Sequence, residues 1–244
     1  MTVSPVSSHP LVEDFLRRYL LGERDFPGLN LRGCDLIQVV LPGINLTQAD
    51  FRQARLGKSD LHQAQLLGAN LSEALLWGTD LRGANLMLAC LRDADLSGAL
   101  LQGANLSQAY LCKATLSGAH LQGANLEQAL LIDADLRPTG EQRTNLAQAN
   151  LQGADLSYAN LGQACLVQAN LAGSKLCRAT FQTGNPPTWP TDLSGANLQN
   201  ADLSYADFTG AILTGADLRG ADLTGTLLAQ ADLREALLPS NFQP

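Results

Sequence analysis

The sequence predicts an all-β solenoid: one chain wound into a square coil, with a short helix over its N-terminal end. Three observations predict it. A leucine recurs at every fifth position, a small residue stands two places before it, and aromatics make up only 5% of the chain. From Phe26 to Leu136 every fifth residue is Leu, apart from Phe26 and Phe51. The register breaks at Glu141 and resumes from Leu146 to Phe181. It restarts two residues out of phase at Leu193 and runs to Leu238. These runs hold 23, 8 and 10 positions, 41 repeats in all, and Ala occupies the small position in 30 of them. The residue between is usually Asp or Asn, so the consensus is A-[D/N]-L-X-X.

A period of five suits neither regular element. On an α-helix successive leucines would land about 140° apart and smear around the rod. On a flat strand an odd period would alternate them between faces. They converge only if the chain turns by about 90° in each repeat, so that four repeats close one coil. The interior then holds one Leu and one small residue per side, which explains the alanines and the scarcity of rings. A larger side chain at the Ala position would overpack it, at about 1–3 kcal/mol. Asp and Asn suit the turns because their side chains bond nearby backbone groups. Gly is frequent two residues after Leu, where a corner needs positive φ. Ten coils at about 4.8 Å each predict a rod of about 50 Å.

The other elements follow in order. Residues 1–9 are expected to be an N-terminal arm, and "SSHPLVEDFLRRYLL" (7–21) reads as a helix, with the cap itself placed at 10–22. Glu13 and Asp14 suit its first turn and Gly22 its end. Leu11, Phe15, Leu16, Tyr19 and Leu20 share one stripe. That stripe reads as a lid on the first coil; a membrane-surface helix is the alternative, and few cations make it a poor anchor. A single domain spans 23–239, with breaks at 137–145 and 182–192 and a tail at 240–244. "RPTGEQRTN" keeps the five-residue phase, so it is a divergent repeat or a loop. "QTGNPPTWPTD", with three prolines and Trp189, must leave the coil.

This pattern resembles the pentapeptide-repeat family over about residues 26–238. The resemblance implies a right-handed quadrilateral β-helix.

Composition narrows function. Net charge is -7, against a simple nucleic-acid binder. No apolar run approaches the length of a membrane helix, and no signal peptide is evident, so a cytoplasmic protein is expected. Five scattered cysteines suggest reduced thiols rather than a disulfide frame or zinc site. The three histidines stand apart in sequence, and the aspartates are explained by the turn. Nothing forms a catalytic constellation or cofactor site, so neither an enzyme nor a cofactor is expected.

Surface departures remain. Residues one coil apart should stack, which places Cys90, Tyr110 and Leu130 in one column and Cys112 and Ile132 beside it. They predict an apolar contact patch, with Arg32, Arg52 and Arg92 on the same face. Another face carries Arg55 and Lys58, then Leu75 and Trp77, read as an exposed ring beside cations. Arg137, Glu141, Gln142 and Arg143 in the first break, and Trp189 in the second, complete the candidate contacts.

The non-consensus segments "RLGKSDL" (55–61), "LLWGTDL" (75–81), "ADLRPTGEQRTNL" (134–146), "GADLSYANL" (153–161) and "SKLCRATF" (174–181) resemble the branch of the family linked to heterocyst differentiation in cyanobacteria. That resemblance implies a non-enzymatic regulator, expected to be monomeric, that contacts a protein such as the differentiation regulator HetR. DNA mimicry against a topoisomerase such as gyrase, known in other members of the family, is the alternative. A passive spacer is a third.

Overall fold

A computed structural model describes residues 10–182 and 189–240. The expected arm (1–9), most of the tail (241–244) and the proline-rich centre of the second break (183–188) lie outside the described residues. The described chain has one helix, α1 (Pro10–Leu20), followed by a right-handed β-helix of four-sided coils.

Each repeat builds one side of a coil. The Asp or Asn before Leu pairs in parallel with its counterpart in the next coil, as Asn85 does with Asn105 and, on the next side, Cys90 with Tyr110. The Leu46 N–H donates to the Gln65 carbonyl (2.7 Å), while the Asn45 N–H donates to the Arg24 carbonyl (2.8 Å). Each side therefore bonds the coil above and the coil below. Corners close when the Ala N–H donates to the carbonyl of the Leu three positions earlier, as from Ala49 to Leu46 (3.0 Å). The residue before that Ala takes positive φ whether it is Gly103 (63°) or Gln108 (57°). Glycine is favoured there but not required.

The leucines and alanines line one continuous core, and nearly all between Leu31 and Leu218 are fully buried. The Asx side chains complete each turn by accepting the N–H two positions on, as Asn105 Oδ1 does from Ser107 (3.1 Å). On the face through Asn105 they also bond from coil to coil. Asn105, Asn125, Asn150, Asn170 and Asn197 each donate to the preceding Asn, at 3.0–3.4 Å.

The two ends differ. Helix α1 buries Val12, Phe15 and Tyr19, and Phe15 meets Phe26 edge-on at 4.8 Å. The Tyr19 hydroxyl donates to the Pro42 carbonyl (3.1 Å), tying the helix to the first coil. The expected stripe needs correcting: Val12 replaces Leu11 and Leu20, which are exposed. Leu20 lies in the last turn, where the chain already bends toward Gly22 (φ 99°) and Arg24. At the far end Leu223, Leu228, Leu233 and Leu238 are only partly buried, and no described element covers them.

Both breaks fall at the same corner of the coil. The first lengthens its coil, so that His120 pairs with Asn145 and Leu130 with Asp155, one repeat further along the chain than in the regular coils. The open choice between divergent repeat and loop resolves to a loop. The second lengthens its coil further, and Cys165 pairs with Asp192. Where the second loop removes the carbonyl that the ladder would use, a buried hydroxyl stands in. Thr191 Oγ1 accepts the Gln163 N–H at 2.6 Å.

Candidate protein-interaction surface

The two breaks lie apart in sequence but meet in space. One corner lies between their coils, and Arg143 reaches across it. Its Nη2 donates to the Ala164 carbonyl of that corner (2.9 Å) and to the Pro190 carbonyl of the second loop (3.0 Å). On its other side the first loop lies back over earlier coils. Thr139 packs on Gly118 so closely that a Cβ there would stand 2.9 Å from its methyl, and Gln142 reaches Gly98. The loop closes on itself through the Thr139 N–H and the Gln142 carbonyl (2.8 Å). Gly140, Glu141 and Gln142 are left exposed at its tip. Trp189 is half-buried, and its backbone N–H faces Gln163 Oε1 (3.4 Å). The sequence marks both breaks but not their union.

The predicted column on the second face is present. Cys90, Tyr110 and Leu130 pair in consecutive coils, with Cys112 and Ile132 beside them. Tyr110 is exposed, and the other four are half-buried. Further along the same face is a feature that counting in fixed steps finds only in part. The corner residues Tyr158, Arg178 and Tyr205 stack in successive coils, with the Arg178 guanidinium 5.9 and 5.6 Å from the two ring centroids. The signal was present as "LSYA" at 156–159 and again at 203–206, with Tyr where Gly or Gln is usual.

Trp77 requires a correction. It is half-buried, not projecting, because it lies flat across Gly57 of the preceding coil. A Cβ on Gly57 would come within 2.6 Å of the indole Cζ2, so the absence of a side chain is what makes the seat. Lys58 covers the ring at 5.4 Å, and Arg55 turns aside to Asp35 (2.8 Å). These contacts fold the predicted Trp–cation cluster onto the coil itself.

Arg137 is likewise satisfied. It follows Asp135 by two positions and grips that carboxylate with two side-chain bonds, at 2.9 and 2.7 Å. The same Asp-Leu-Arg or Asp-Phe-Arg clamp recurs at Asp50–Arg52, Asp80–Arg82, Asp217–Arg219 and Asp232–Arg234. In each, the guanidinium holds the carboxylate below its ordinary range, and Asp232 falls to about 2. Much of the acidic charge is therefore neutralised locally. Among the described residues no column of paired Asx positions is acidic without interruption; Lys175, for example, interrupts Asp155 and Asp202.

The fold also gathers groups that look scattered in sequence. Asp60, His62 and Asp80 place ligand-type atoms within 4.8 Å of one another. His62 Nδ1 is 2.6 Å from Asp60 Oδ1, and Asp80 is held by Arg82, so both carboxylates already have partners. No helix among the described residues is long and apolar enough to cross a membrane.

The comparisons with known proteins agree with this architecture. The chain resembles the crystal structure of HetL, a pentapeptide-repeat protein involved in heterocyst differentiation regulation from the cyanobacterium Nostoc sp. strain PCC 7120. The two are 50% identical over 97% of this chain and 100% of that one, with a TM-score of 0.93. A plasmid-mediated fluoroquinolone resistance protein, QnrB1, is 19% identical over 88% of this chain and 91% of its own, at a TM-score of 0.45. No curated protein sequence matches the chain. The family model for pentapeptide repeats matches residues 30–137, 142–173 and 191–239, stepping over parts of both breaks. With that model covering most of the molecule, the chain belongs to the pentapeptide-repeat family.

Proposed function

We propose that this protein is a non-enzymatic regulator of heterocyst differentiation that works by protein contact, with a regulator such as HetR as its partner. The corner where the two breaks meet is its contact surface, with the apolar column on the second face as a flank. One observation carries this reading: the likeness to HetL covers 97% of this chain at 50% identity. Arg143 adds physical support. It joins two loops that the repeat does not require, and departures from a strict repeat are where a scaffold places its function. Glu141, Gln142, Arg143 and Trp189 are the residues assigned to the contact, with Tyr110, Cys112, Leu130 and Ile132 on the flank.

The test is a binding titration with purified HetR. Replacing Glu141 and Arg143 by Ala should weaken binding about tenfold or more, as loss of charge-assisted contacts does. Equal affinity in that variant and in Tyr110→Asp/Ile132→Asp would remove both surfaces. DNA mimicry has less support, because the clamps break up the acidic columns. Inhibition of gyrase supercoiling at micromolar protein would restore it.

A further inference from the structure

We propose that the Tyr158–Arg178–Tyr205 ladder is a second docking site, one that receives an isolated carboxylate, Asp or Glu, flanked by apolar side chains in a protein partner. The proposal rests on the protein-contact reading above and names the chemistry of one contact within it. Three observations on the molecule point to it.

The first is the state of the cation. Most arginines on the coils are spent on a carboxylate two positions back or in the next coil, as at Arg52, Arg82 and Arg137. Among the described residues the Arg178 guanidinium has no ion pair and no hydrogen bond; its partners are the two tyrosine rings. With a ring centroid within 6 Å in the coil on each side, the guanidinium is drawn to the rings while its N–H groups are left for an oxyanion acceptor. Part of the ordering cost of binding is thereby met before the partner arrives.

The second is the corner. Tyr158, Arg178 and Tyr205 all occupy positive φ, at 63°, 58° and 58°. That backbone is common to the corner throughout the coils, where Gly or Gln most often stands, so what is particular here is the side chains. Two rings, 53% and 57% accessible, stand on either side of an arginine, and the Tyr205 ring also rests on Gly225 of the next coil. Core packing does not account for them.

The third is the surrounding charge. The neighbouring column on this face runs Asp155, Lys175, Asp202 and Asp222; Lys175 lies 3.9 Å from Asp155, so the column as a whole is acidic. A polyphosphate backbone laid along the ladder would meet these carboxylates and be repelled. One carboxylate can reach Arg178 alone. Tyr110, Leu130 and Ile132 continue the same face for about 10 Å toward the N-terminal end, which suits apolar neighbours in the docked segment.

The experiment pans a displayed library of random peptides on the intact protein, with counter-selection on Arg178→Glu. Arg178 is exposed, so the variant should keep the wild-type circular dichroism and melting curve; Arg178→Gln serves as a second, uncharged variant. Peptides that separate wild type from Arg178→Glu should carry an Asp or Glu beside an aromatic or aliphatic residue. Such a peptide should lose about tenfold to a hundredfold in affinity on Arg178→Glu, the scale of a lost charge-assisted bond. Changing its acid to Lys should restore binding to that variant. Discriminating peptides without an acidic residue would overturn the proposal, as would the absence of any discriminating peptide. So would a single-stranded oligonucleotide that binds wild type and fails on Arg178→Glu. HetR titrated against Arg178→Glu separates the two readings. Full binding there, with loss in the Glu141/Arg143 variant, would defeat this inference and leave the first intact.

Discussion

The coils from Asn45 to Asp135 and those from Leu136 to Asp192 use one repeat but are built differently. Within the first stretch every column advances by the same four repeats, and a coil's bonds reach only the coils on either side of it. Stability there is a sum of similar local terms. In the second, the loops lengthen two coils that have one regular coil between them, and Arg143 reaches Pro190, 47 residues further along the chain. Two coils that would otherwise be connected only through the intervening one are linked directly. Regularity makes outward residues independent of one another, whereas the insertions couple them into a shared surface.

The largest test of this contrast is in the core. Leu106→Ala, in the regular stretch, should cost about 2–5 kcal/mol in chemical denaturation. Phe181→Ala should cost about as much or more, because its ring stacks on Phe208 at 4.2 Å directly beside the second loop. The first loss should be felt mainly by neighbouring coils, and the second should also loosen the loop corner. Amide exchange resolved along the chain would reveal the difference.

Next in size are the buried hydroxyls. Thr191→Val removes the acceptor of the Gln163 N–H and should cost about 1–3 kcal/mol. Thr79→Val in the regular stretch should cost less. The Leu56 carbonyl that Thr79 bonds (2.7 Å) keeps the Ser59 N–H as a donor. Equal losses at the two sites would mean that the broken stretch has no special dependence on its threonines. Arg143→Ala should then raise amide exchange at both loop bases together, for about 1–2 kcal/mol, and leave residues 45–135 protected. Exchange rising at one base alone would break the coupling.

Much of this was legible in the sequence. Leu and Ala at fixed phase determine the square core without reference to any partner, and the Asx position follows from the turn. The contacts around the breaks were not legible, because a fixed step of four repeats holds only until an insertion changes it. Arg178 meets Tyr205, whereas four repeats counted on from it land on Leu198 of the core. Trp77 was misread for another reason. Its environment depends on whether the residue beneath it in the preceding coil has a side chain, and that residue is Gly57. Arg137, a candidate contact in the sequence, is held by an acid only two positions away, a spacing that pairs side chains on these coils although it would not on a helix.

The smallest expected effect applies to both stretches, since the Asp–Arg clamps occur throughout. Asp232 stays ionised in the folded protein down to about pH 2, while the unfolded chain takes up its proton near pH 4. Unfolding therefore binds a proton in that window. The clamp's contribution is complete above about pH 4 and declines as pH falls toward 2. Arg234→Ala should lower stability slightly at neutral pH, with the difference from wild type shrinking as pH falls toward 2, so that the acid limb of the stability–pH curve is flatter. A change of the same size at pH 7 and pH 3 would contradict the assignment.

The central claim is that contact with the regulator centres on the joined breaks, with the apolar column as its flank, and does not extend over the rest of the regular coils. Affinity for purified HetR, measured by titration calorimetry, tests it most directly. The comparison is between Glu141→Ala/Arg143→Ala and Gln108→Ala, a control on an exposed corner of the regular stretch. A loss of about tenfold or more is expected in the first and no change in the second. Unaltered affinity in the loop variant, or an equal loss in the control, would contradict it.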